Sequence, residues 1–207
     1  MTTLDVVVEA HASSDRVLQV PLGVDDAARA AWIAEATDRI RPATAHWGEA
    51  GEVLVPAVVE RATELVQPED VLVLQLWPEA VPVAGVVRVS VHESPGVDAV
   101  RAELLGHDGD VVTALGEARM GVGWEWFHSQ EVDDVAIMGW QAAFADERVL
   151  VVVTLEPTLA MLLPALLDDV RVLARDLALA IGGEPWQGAD LGDPGLSHGG
   201  EEWTVRA

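Results

Sequence analysis

The chain has 207 residues and a formal net charge of −23, from 35 acidic and 12 basic side chains, and every basic side chain is arginine. Affinity for nucleic acid comes largely from Lys and Arg that neutralise phosphates, so a surface this acidic repels a duplex, and it also repels anionic lipid headgroups. Such a field instead attracts a basic protein, a basic peptide or a cation.

The rest of the composition predicts one soluble, cytoplasmic domain. Hydrophobic residues make up 50% of the chain, which excludes disorder of the low-hydrophobicity, high-charge type for the bulk of it, and the absence of cysteine excludes disulfides and thiolate metal sites. The first residues lack the features of a signal peptide, and the longest uncharged apolar stretch, Pro157 to Leu167, is too short to span a bilayer.

The amino-acid usage is typical of a GC-rich bacterial genome, because lysine, tyrosine, asparagine and cysteine are absent while Ala, Val, Gly, Asp and Glu are abundant. Halophilic adaptation is the alternative, and the eight tryptophans and a mean hydropathy of +0.25 argue against it. Part of the acid excess is then compositional. Acidity that serves a function should cluster on one face, whereas compositional acidity should be spread evenly.

The first half of the chain predicts short strands and two helices, followed by a buried strand and its partner. Asp25 is an expected N-cap, and Pro42 is expected to end the first helix; Pro56 fits only the first turn of the second. The predicted strands are Asp5–Ala10, Arg16–Val20, Val71–Trp77 and Val83–Val91, and the second helix is Glu52–Val66.

The second half predicts a helix that begins at Ser94-Pro95 and ends near Gly106, then strands. The predicted strands are Ala118–Trp126 and a hairpin of Val135–Phe144 and Arg148–Leu155. Apolar residues at spacings of three and four then predict a long amphipathic helix over Thr158–Ile181, ended by Gly182-Gly183. Beyond it, the Gly-rich acidic segment to Gly200 is expected to be loose, and Glu201–Arg206 either returns as an edge strand or stays mobile.

These elements predict a single α+β domain over residues 1–183 and a Gly-rich acidic C-terminal tail over residues 184–207. The expected architecture is a single, largely antiparallel sheet flanked by helices, with the long C-terminal amphipathic helix packed on the sheet. The closing hairpin and helix, together with the early strand and proline turn of Arg16–Gly23, resemble PsbP-like α/β/α sandwich domains and small actinobacterial proteins of unknown function. The resemblance implies a non-catalytic binding or assembly factor and supplies no active site.

Two glycine motifs lack the context that their chemistry needs. Gly195-Leu196-Ser197-His198-Gly199 matches the G-x-S-x-G nucleophile elbow, but no apolar strand precedes it, no helix can follow, and no histidine lies downstream. Gly121-x-Gly123 lies inside an alternating strand and precedes no helix, so these glycines are expected to make room for bulky neighbours across the sheet and not to bind a dinucleotide.

Histidines and paired carboxylates give no predicted metal, cofactor or catalytic residue. None of the six histidines is spaced like a zinc ligand, and His107-Asp108-Gly109-Asp110 lacks the ligand pattern of a calcium loop. Asp133-Asp134 could serve acid/base chemistry only if one member were desolvated. Asp168-Asp169 lies on the polar face of a predicted helix near Arg171 and Arg175, which indicates a solvated, salt-bridged face.

The tryptophans carry more functional information. Trp32, Trp77 and Trp140 are expected in the core. Trp124 and Trp126 share a strand face and either pack under a helix or line a groove. Trp186 and Trp203 are expected to dock the tail onto the body or onto a second subunit.

Three functions follow as hypotheses. The first is a non-enzymatic protein-binding domain, acting as an adaptor, assembly factor or inhibitor of a basic partner, with a homodimer left open. The second is a small-ligand binder with an apolar pocket between sheet and helix near Trp124 and Trp126. The third is an enzyme whose site is assembled from distant residues such as His46, His107 and His128, together with a carboxylate.

Overall fold

The computed structural model describes residues 5–10, 16–79, 83–106 and 111–194. Within these ranges the chain forms the strands β1 (Val6–Glu9), β2 (Val17–Gln19), β3 (Asp70–Leu76), β4 (Gly85–Glu93), β5 (Thr113–Ala118), β6 (Gly121–Val132), β7 (Val135–Ala145), β8 (Val149–Leu159), β9 (Ala178–Ile181) and β10 (Glu184–Trp186). The helices there are α1 (Asp26–Thr44), α2 (Glu49–Glu64), α3 (Val97–Leu105) and α4 (Pro164–Asp176), with a 3₁₀ turn at Ala45–Trp47. None of these helices is long and apolar enough to cross a bilayer.

The fold is α+β, as predicted, but the expected single sheet is in fact two sheets. Over the described residues the larger sheet has seven strands in the order β2-β3-β4-β8-β7-β6-β5, and the smaller has three in the order β1-β9-β10. All of the strand pairs in both sheets are antiparallel. The small sheet packs against the large one. Leu179 of β9 and Trp186 of β10 belong to the same apolar core as the large sheet and α4.

The predicted long helix over Thr158–Ile181 is wrong at both ends. Strand β8 continues through Thr158 to Leu159, where Leu159 is paired with Ile137 of β7, and the helix begins only at Pro164. It ends at Asp176, because Leu177 is extended with ψ 132° and the alternating residues of β9 then pair with β1. Apolar residues in β9 also fit a helical spacing, so the pattern alone cannot separate the two structures.

The helical hairpin α1–α2 covers one side of the large sheet. Asp25 caps α1 as predicted, since its Oδ1 accepts a hydrogen bond of 2.8 Å from the backbone N–H of Ala28. Pro42 does not end α1, which runs on to Thr44; Pro42 lies in the exposed last turn, where solvent can satisfy the carbonyl that it leaves unbonded. Helix α2 begins at Glu49 and not at Glu52, so Pro56 lies in its second turn.

The predicted strand Ala118–Trp126 is two strands with a reversal between them. Strand β5 ends at Ala118, and β6 starts at Gly121, whose φ of 104° is open to glycine but strained for other residues. Gly123 makes room for a bulky neighbour as expected, because a Cβ there would lie 2.6 Å from the ring of Phe144.

Helix α4 is fixed to the sheet by a buried ion pair. Arg171 binds Glu125 of β6 through two parallel hydrogen bonds, Nε to Oε2 at 2.8 Å and Nη2 to Oε1 at 2.7 Å. Trp140, which is fully buried in β7, donates its indole N–H to the same carboxylate at 2.6 Å. Only 6% of the Glu125 side chain is exposed, so both of its oxygens depend on these donors.

The segment after β9, expected to be loose, is packed on the body over residues 184–194. Trp186 is 9% exposed and donates its indole N–H to Oδ2 of Asp146 at 2.8 Å, so its predicted docking onto the body is confirmed. Leu191 is fully buried on the other side of the large sheet, where it contacts α3 and Trp124. Trp203 lies outside the described residues.

We expect Arg171→Leu to lower the free energy of unfolding by about 3 kcal/mol, because it leaves the Glu125 carboxylate buried without its cation. Arg41→Leu is the control: its ion pair with Asp38 is exposed and should contribute about 0.5 kcal/mol or less. Urea unfolding of both variants measures the difference. Equal losses of unfolding free energy in the two variants would contradict the conclusion that the Glu125–Arg171 ion pair fixes α4 to the sheet.

Asp146 provides a second test, because it closes the β7–β8 turn and anchors Trp186. Burial alone would raise the pKa of Asp146, but hydrogen bonds from the backbone N–H groups of Arg148 and Val149 and from Trp186 outweigh it and lower the pKa below its ordinary value of 3.8. Asp146→Ala should therefore cost about 2 kcal/mol near neutral pH. This cost should shrink as the pH falls through the lowered pKa, since protonation removes the same stabilisation. Glu147→Ala, in the same turn, should change stability little at either pH.

Candidate functional site

The large sheet has two unlike faces. Its back face carries α4, which contacts Glu125. Its front face carries the alternate side chains of the same strands. At one side this face is covered by α2, where the side chain of Gln75 donates a hydrogen bond of 2.8 Å to the backbone carbonyl of Val58. At the other side α3 covers Trp124. Between these helices the front face is only partly covered: Ser90, Gln141 and Val152 are partly exposed, while Thr154 is buried.

A row of directly paired residues crosses this region. Arg88 on β4 pairs with Thr154 on β8, Thr154 with Gln141 on β7, and Gln141 with Trp126 on β6. Residues paired in this way project to the same face, so the row is a continuous line of polar groups that ends in an aromatic ring. Gln141 donates to the hydroxyl of Thr154 at 3.2 Å, which connects the row laterally.

Arg88 is held between two carboxylates. Its Nη1 lies 3.0 Å from Oδ1 of Asp70, and its Nε lies 2.6 Å from Oε1 of Glu156. The exposed fractions of the three side chains are 19% for Arg88, 0% for Asp70 and 20% for Glu156. We call these residues the Arg88 triad; with two carboxylates and one guanidinium, it carries a formal charge of −1.

Burial dominates the titration of Asp70. It raises the pKa of this carboxyl above the ordinary 3.8, although the backbone N–H of Gln67 and the Arg88 guanidinium both favour the ionised form. Burial alone would lower the pKa of Arg88, but the hydrogen bond and charge of Glu156, followed by Asp70, raise it overall. The triad therefore holds its cation firmly, while Asp70 is a carboxylate whose ionisation is opposed by its surroundings.

A cavity of about 530 Å³ lies beside the triad, between α2 and the front face. Its α2 side includes Val58 and Leu65, and its strand side includes Gln130, Glu156 and Thr158. The pairing of β7 with β8 shifts register between Trp140 and Met138, with one extra residue on β8 around Glu156 and Pro157. Such bulges redirect side chains next to binding sites. We call this cavity the α2 groove.

Strand β6 has a second uncommitted feature, its outer edge. Strand β5 pairs with β6 only between Gly121 and Glu125, and no other described strand pairs with β6 on that side up to its end at Val132. We call the edge from Trp126 to Val132 the β6 edge. An unpaired edge presents backbone N–H and C=O groups that can accept another strand.

The β6 edge ends in an acidic turn. Asp133 and Asp134 have φ values of 51° and 62°, as a two-residue hairpin requires, and short polar side chains tolerate this conformation. In such a hairpin the two residues that flank the turn, Val132 and Val135, form a backbone hydrogen-bonded pair. Every second residue of β6 back from Val132 therefore bonds to β7, and the residues between them, including Ser129 and Glu131, direct their backbone N–H and C=O groups away from β7. Glu131, Asp133 and Asp134 are exposed and form no ion pair within the described part of the chain.

Both tryptophans predicted to share a strand face pack in the apolar cluster under α3, and they differ in exposure. Trp124 is 1% exposed, packs under α3 and donates to the carbonyl of Gly192 at 2.8 Å, so it belongs to the core. Trp126 is partly exposed and ends the polar row. The cavity between sheet and helix lies beside α2 and includes neither of them in its lining.

Of the histidines in the enzyme hypothesis, the two within the described residues, His46 and His128, are not brought together. His46 accepts a hydrogen bond of 2.9 Å from its neighbour Trp47, which stacks on Trp77 directly after β3, whereas His128 lies on β6, with β4, β8 and β7 between these two strands. The His128 ring rests against Gly139, and its Nδ1 is buried with no hydrogen-bond partner among the described residues. His107 lies outside the described residues.

The remaining motifs form no shared site in the described ranges. Asp168 and Asp169 are exposed on α4, while Gly195–Gly199 and the loop at His107–Asp110 fall outside those ranges. No group of three or more His, Asp or Glu side chains in the described part could hold a metal ion. The Arg88 triad was not predicted from the sequence. The pattern that could have indicated it is a charged residue within a largely apolar strand, which occurs at Arg88 and again at Glu156.

We expect Asp70→Asn to change the pH dependence of stability in a defined direction. Because the pKa of Asp70 is raised in the fold, the folded chain binds this proton more tightly than the unfolded chain. The stability of the wild type relative to the variant should therefore increase as the pH falls from 7 toward about 4. Thermal unfolding of both proteins over this range measures the difference, and a constant or opposite trend would contradict burial as the dominant effect.

No protein-family model matches this chain, and no curated protein sequence matches it either. Its function therefore has to be argued from the geometry of the triad, the groove and the open edge.

Proposed function

We propose that the protein is a non-enzymatic protein-binding module, an adaptor, assembly factor or inhibitor, that holds an extended basic segment of its partner along the β6 edge. The observation that carries the proposal is the edge of β6 that no described strand pairs with beyond Glu125, which runs into three exposed carboxylates that form no ion pair with the described residues. The PsbP-like resemblance implies the same kind of role. We place this role in the cytoplasm.

The backbone of β6 supplies the affinity in this proposal. A partner segment that adds as a strand forms main-chain hydrogen bonds with the outward groups of Ser129 and Glu131, while side chains on its two faces contact alternating residues of β6. Val132 and Val135, which are 48% and 43% exposed, flank the turn and offer apolar contact next to the acids. Exposed apolar residues beside an open edge are typical of an interaction surface.

Charge selects the partner. Glu131, Asp133 and Asp134 attract lysine and arginine, and the net charge of −23 raises the association rate of any basic segment. The same charge opposes a second copy of this chain at the edge, since two such molecules repel each other. A basic segment is therefore the occupant that we assign.

The charge assignment can be tested with paired aspartates. We expect a short peptide of alternating valine and lysine to bind, and one of alternating valine and glutamate not to bind. Replacing both Asp133 and Asp134 by Asn should weaken the lysine peptide about fivefold, since each exposed pair contributes roughly 0.5 kcal/mol. Replacing both Asp168 and Asp169 by Asn changes the net charge equally but should leave affinity within about twofold. Equal effects would show that only overall charge matters.

The edge assignment needs a backbone test. Ser129→Pro removes an outward N–H without removing a hydrogen bond to β7, so it should abolish peptide binding and leave the melting temperature nearly unchanged. Fluorescence anisotropy with a labelled peptide measures the binding. Unchanged affinity would contradict the β6 edge as the site. A wild-type dimer in sedimentation that Ser129→Pro converts to monomer would assign the edge to a second copy and overturn the basic partner.

A further inference from the structure

We propose that the α2 groove is a separate binding site for an amphipathic organic cation, an ammonium or guanidinium group carried on an apolar body. The inference does not depend on the proposed function: Gln130 of β6 contributes its side chain to the wall of the groove, whereas the β6 edge proposal uses the outward backbone groups of Ser129 and Glu131.

The first argument is the unbalanced charge in the wall of the groove. The Arg88 triad has two carboxylates for one guanidinium, and all three side chains are at least four-fifths buried. Glu156 reaches the groove, and it uses only Oε1 for Arg88; its Oε2 accepts no hydrogen bond within the described part of the chain. This unpaired oxygen is accessible to solvent in the groove, and an opposite charge placed next to it is attracted to it.

Asp70 lies at the other end of the triad and does not line the groove; within the described residues its ion-pair partner, Arg88, is shared with Glu156. The pKa of Asp70 is raised chiefly by burial, and the charge of Glu156 adds a smaller contribution in the same direction. A cation at Glu156 would compensate the same charge without protonation.

The shape of the groove selects the rest of the ligand. A cavity of about 530 Å³ falls within the range of small-molecule sites. Val58, Leu65 and Val86 give it apolar walls, while Gln130 and Thr158 add hydrogen-bonding groups near Glu156. A compact inorganic cation would leave most of this space unfilled, so a cationic group on a hydrocarbon body is the better fit.

Arg61 is the basic residue in the wall of the groove, and it does not supply the positive charge that Glu156 lacks. It lines the groove, but its Nη1 is bound to Glu64 at 2.6 Å and its side chain is 63% exposed. It therefore forms a neutral pair at the rim and does not compensate Glu156. Arg61→Ala leaves Glu64 without this partner and makes the rim more negative, so it should tighten cation binding.

The test uses three ligands with one apolar body and different charge: phenylbutylammonium, phenylbutanol and phenylbutyrate. Calorimetry with the full chain should show the ammonium binding about 10- to 100-fold more tightly than the alcohol, as expected for a hydrogen bond to a charged group, and the carboxylate not binding. Equal affinity of the ammonium and the alcohol, or no binding of any of them, would overturn the assignment.

Two variants tie the binding to the groove. Glu156→Gln should reduce the ammonium to the affinity of the alcohol, whereas Glu60→Gln, on the exposed side of α2, should change nothing. Ala57→Trp, at an exposed groove position outside the core, should exclude both ligands even if Glu156→Gln fails to fold. Ammonium binding that survives either groove variant would contradict the site.

The cationic group can be a free amine or a lysine side chain of a bound partner, and competition separates these sources. If the valine–lysine peptide displaces phenylbutylammonium and is itself weakened by Glu156→Gln, the natural occupant is a side chain. If the two bind independently, the groove takes a free amine. Ser129→Pro should leave ammonium binding unchanged, so failure of the edge proposal and failure of this one are distinguishable.

Discussion

The back face of the large sheet is organised around one buried carboxylate. Glu125 lies in an apolar environment where an ionised group is costly, and it is stable there because Arg171 and Trp140 bind both of its oxygens. This contact fixes the rotation of α4 on the sheet and joins β6, β7 and α4 into one unit. With α4 and the small sheet both on the back-face core, the partly covered surface of the large sheet is left on the front, between α2 and α3.

Sequence patterns predicted the elements whose neighbours are close in the chain. The Asp25 cap, the hairpin of β7 and β8 and the two early helices all depend on local spacing, and they formed as expected apart from their ends. The errors occurred where a distant partner decides the structure. Residues 178–181 form a strand because β1 pairs with them, and Thr158 stays extended because β7 reaches it. The Arg88 triad was missed for the same reason, because it joins residues that the register alone brings together.

The contacts of the arginines determine which acidic side chains are left without a cation. Arg171 is committed to Glu125, Arg175 binds the carbonyl of Leu115, and Arg101 binds the carbonyl of Leu191. Each of these contacts fixes one element to another, whereas other arginines pair with exposed acids: Arg16 with Glu79, Arg41 with Asp38, Arg61 with Glu64 and Arg119 with Glu9. A GC-rich composition accounts for arginine in place of lysine, but the placement of these side chains leaves the turn at Asp133-Asp134 without a cation within the described residues.

The two proposed sites use negative charge in physically different ways. At the β6 edge the acids are exposed, so they guide a basic segment and lose their influence as salt screens them, while backbone hydrogen bonds supply the affinity. In the α2 groove the side chain of Glu156 is 20% exposed and its unpaired oxygen is accessible, so an ionic contact there is screened less than one at the exposed turn. Even spreading of compositional acid would produce neither arrangement. The placement of these carboxylates, next to an unpaired edge and next to a cavity, is therefore a better guide to function than their number.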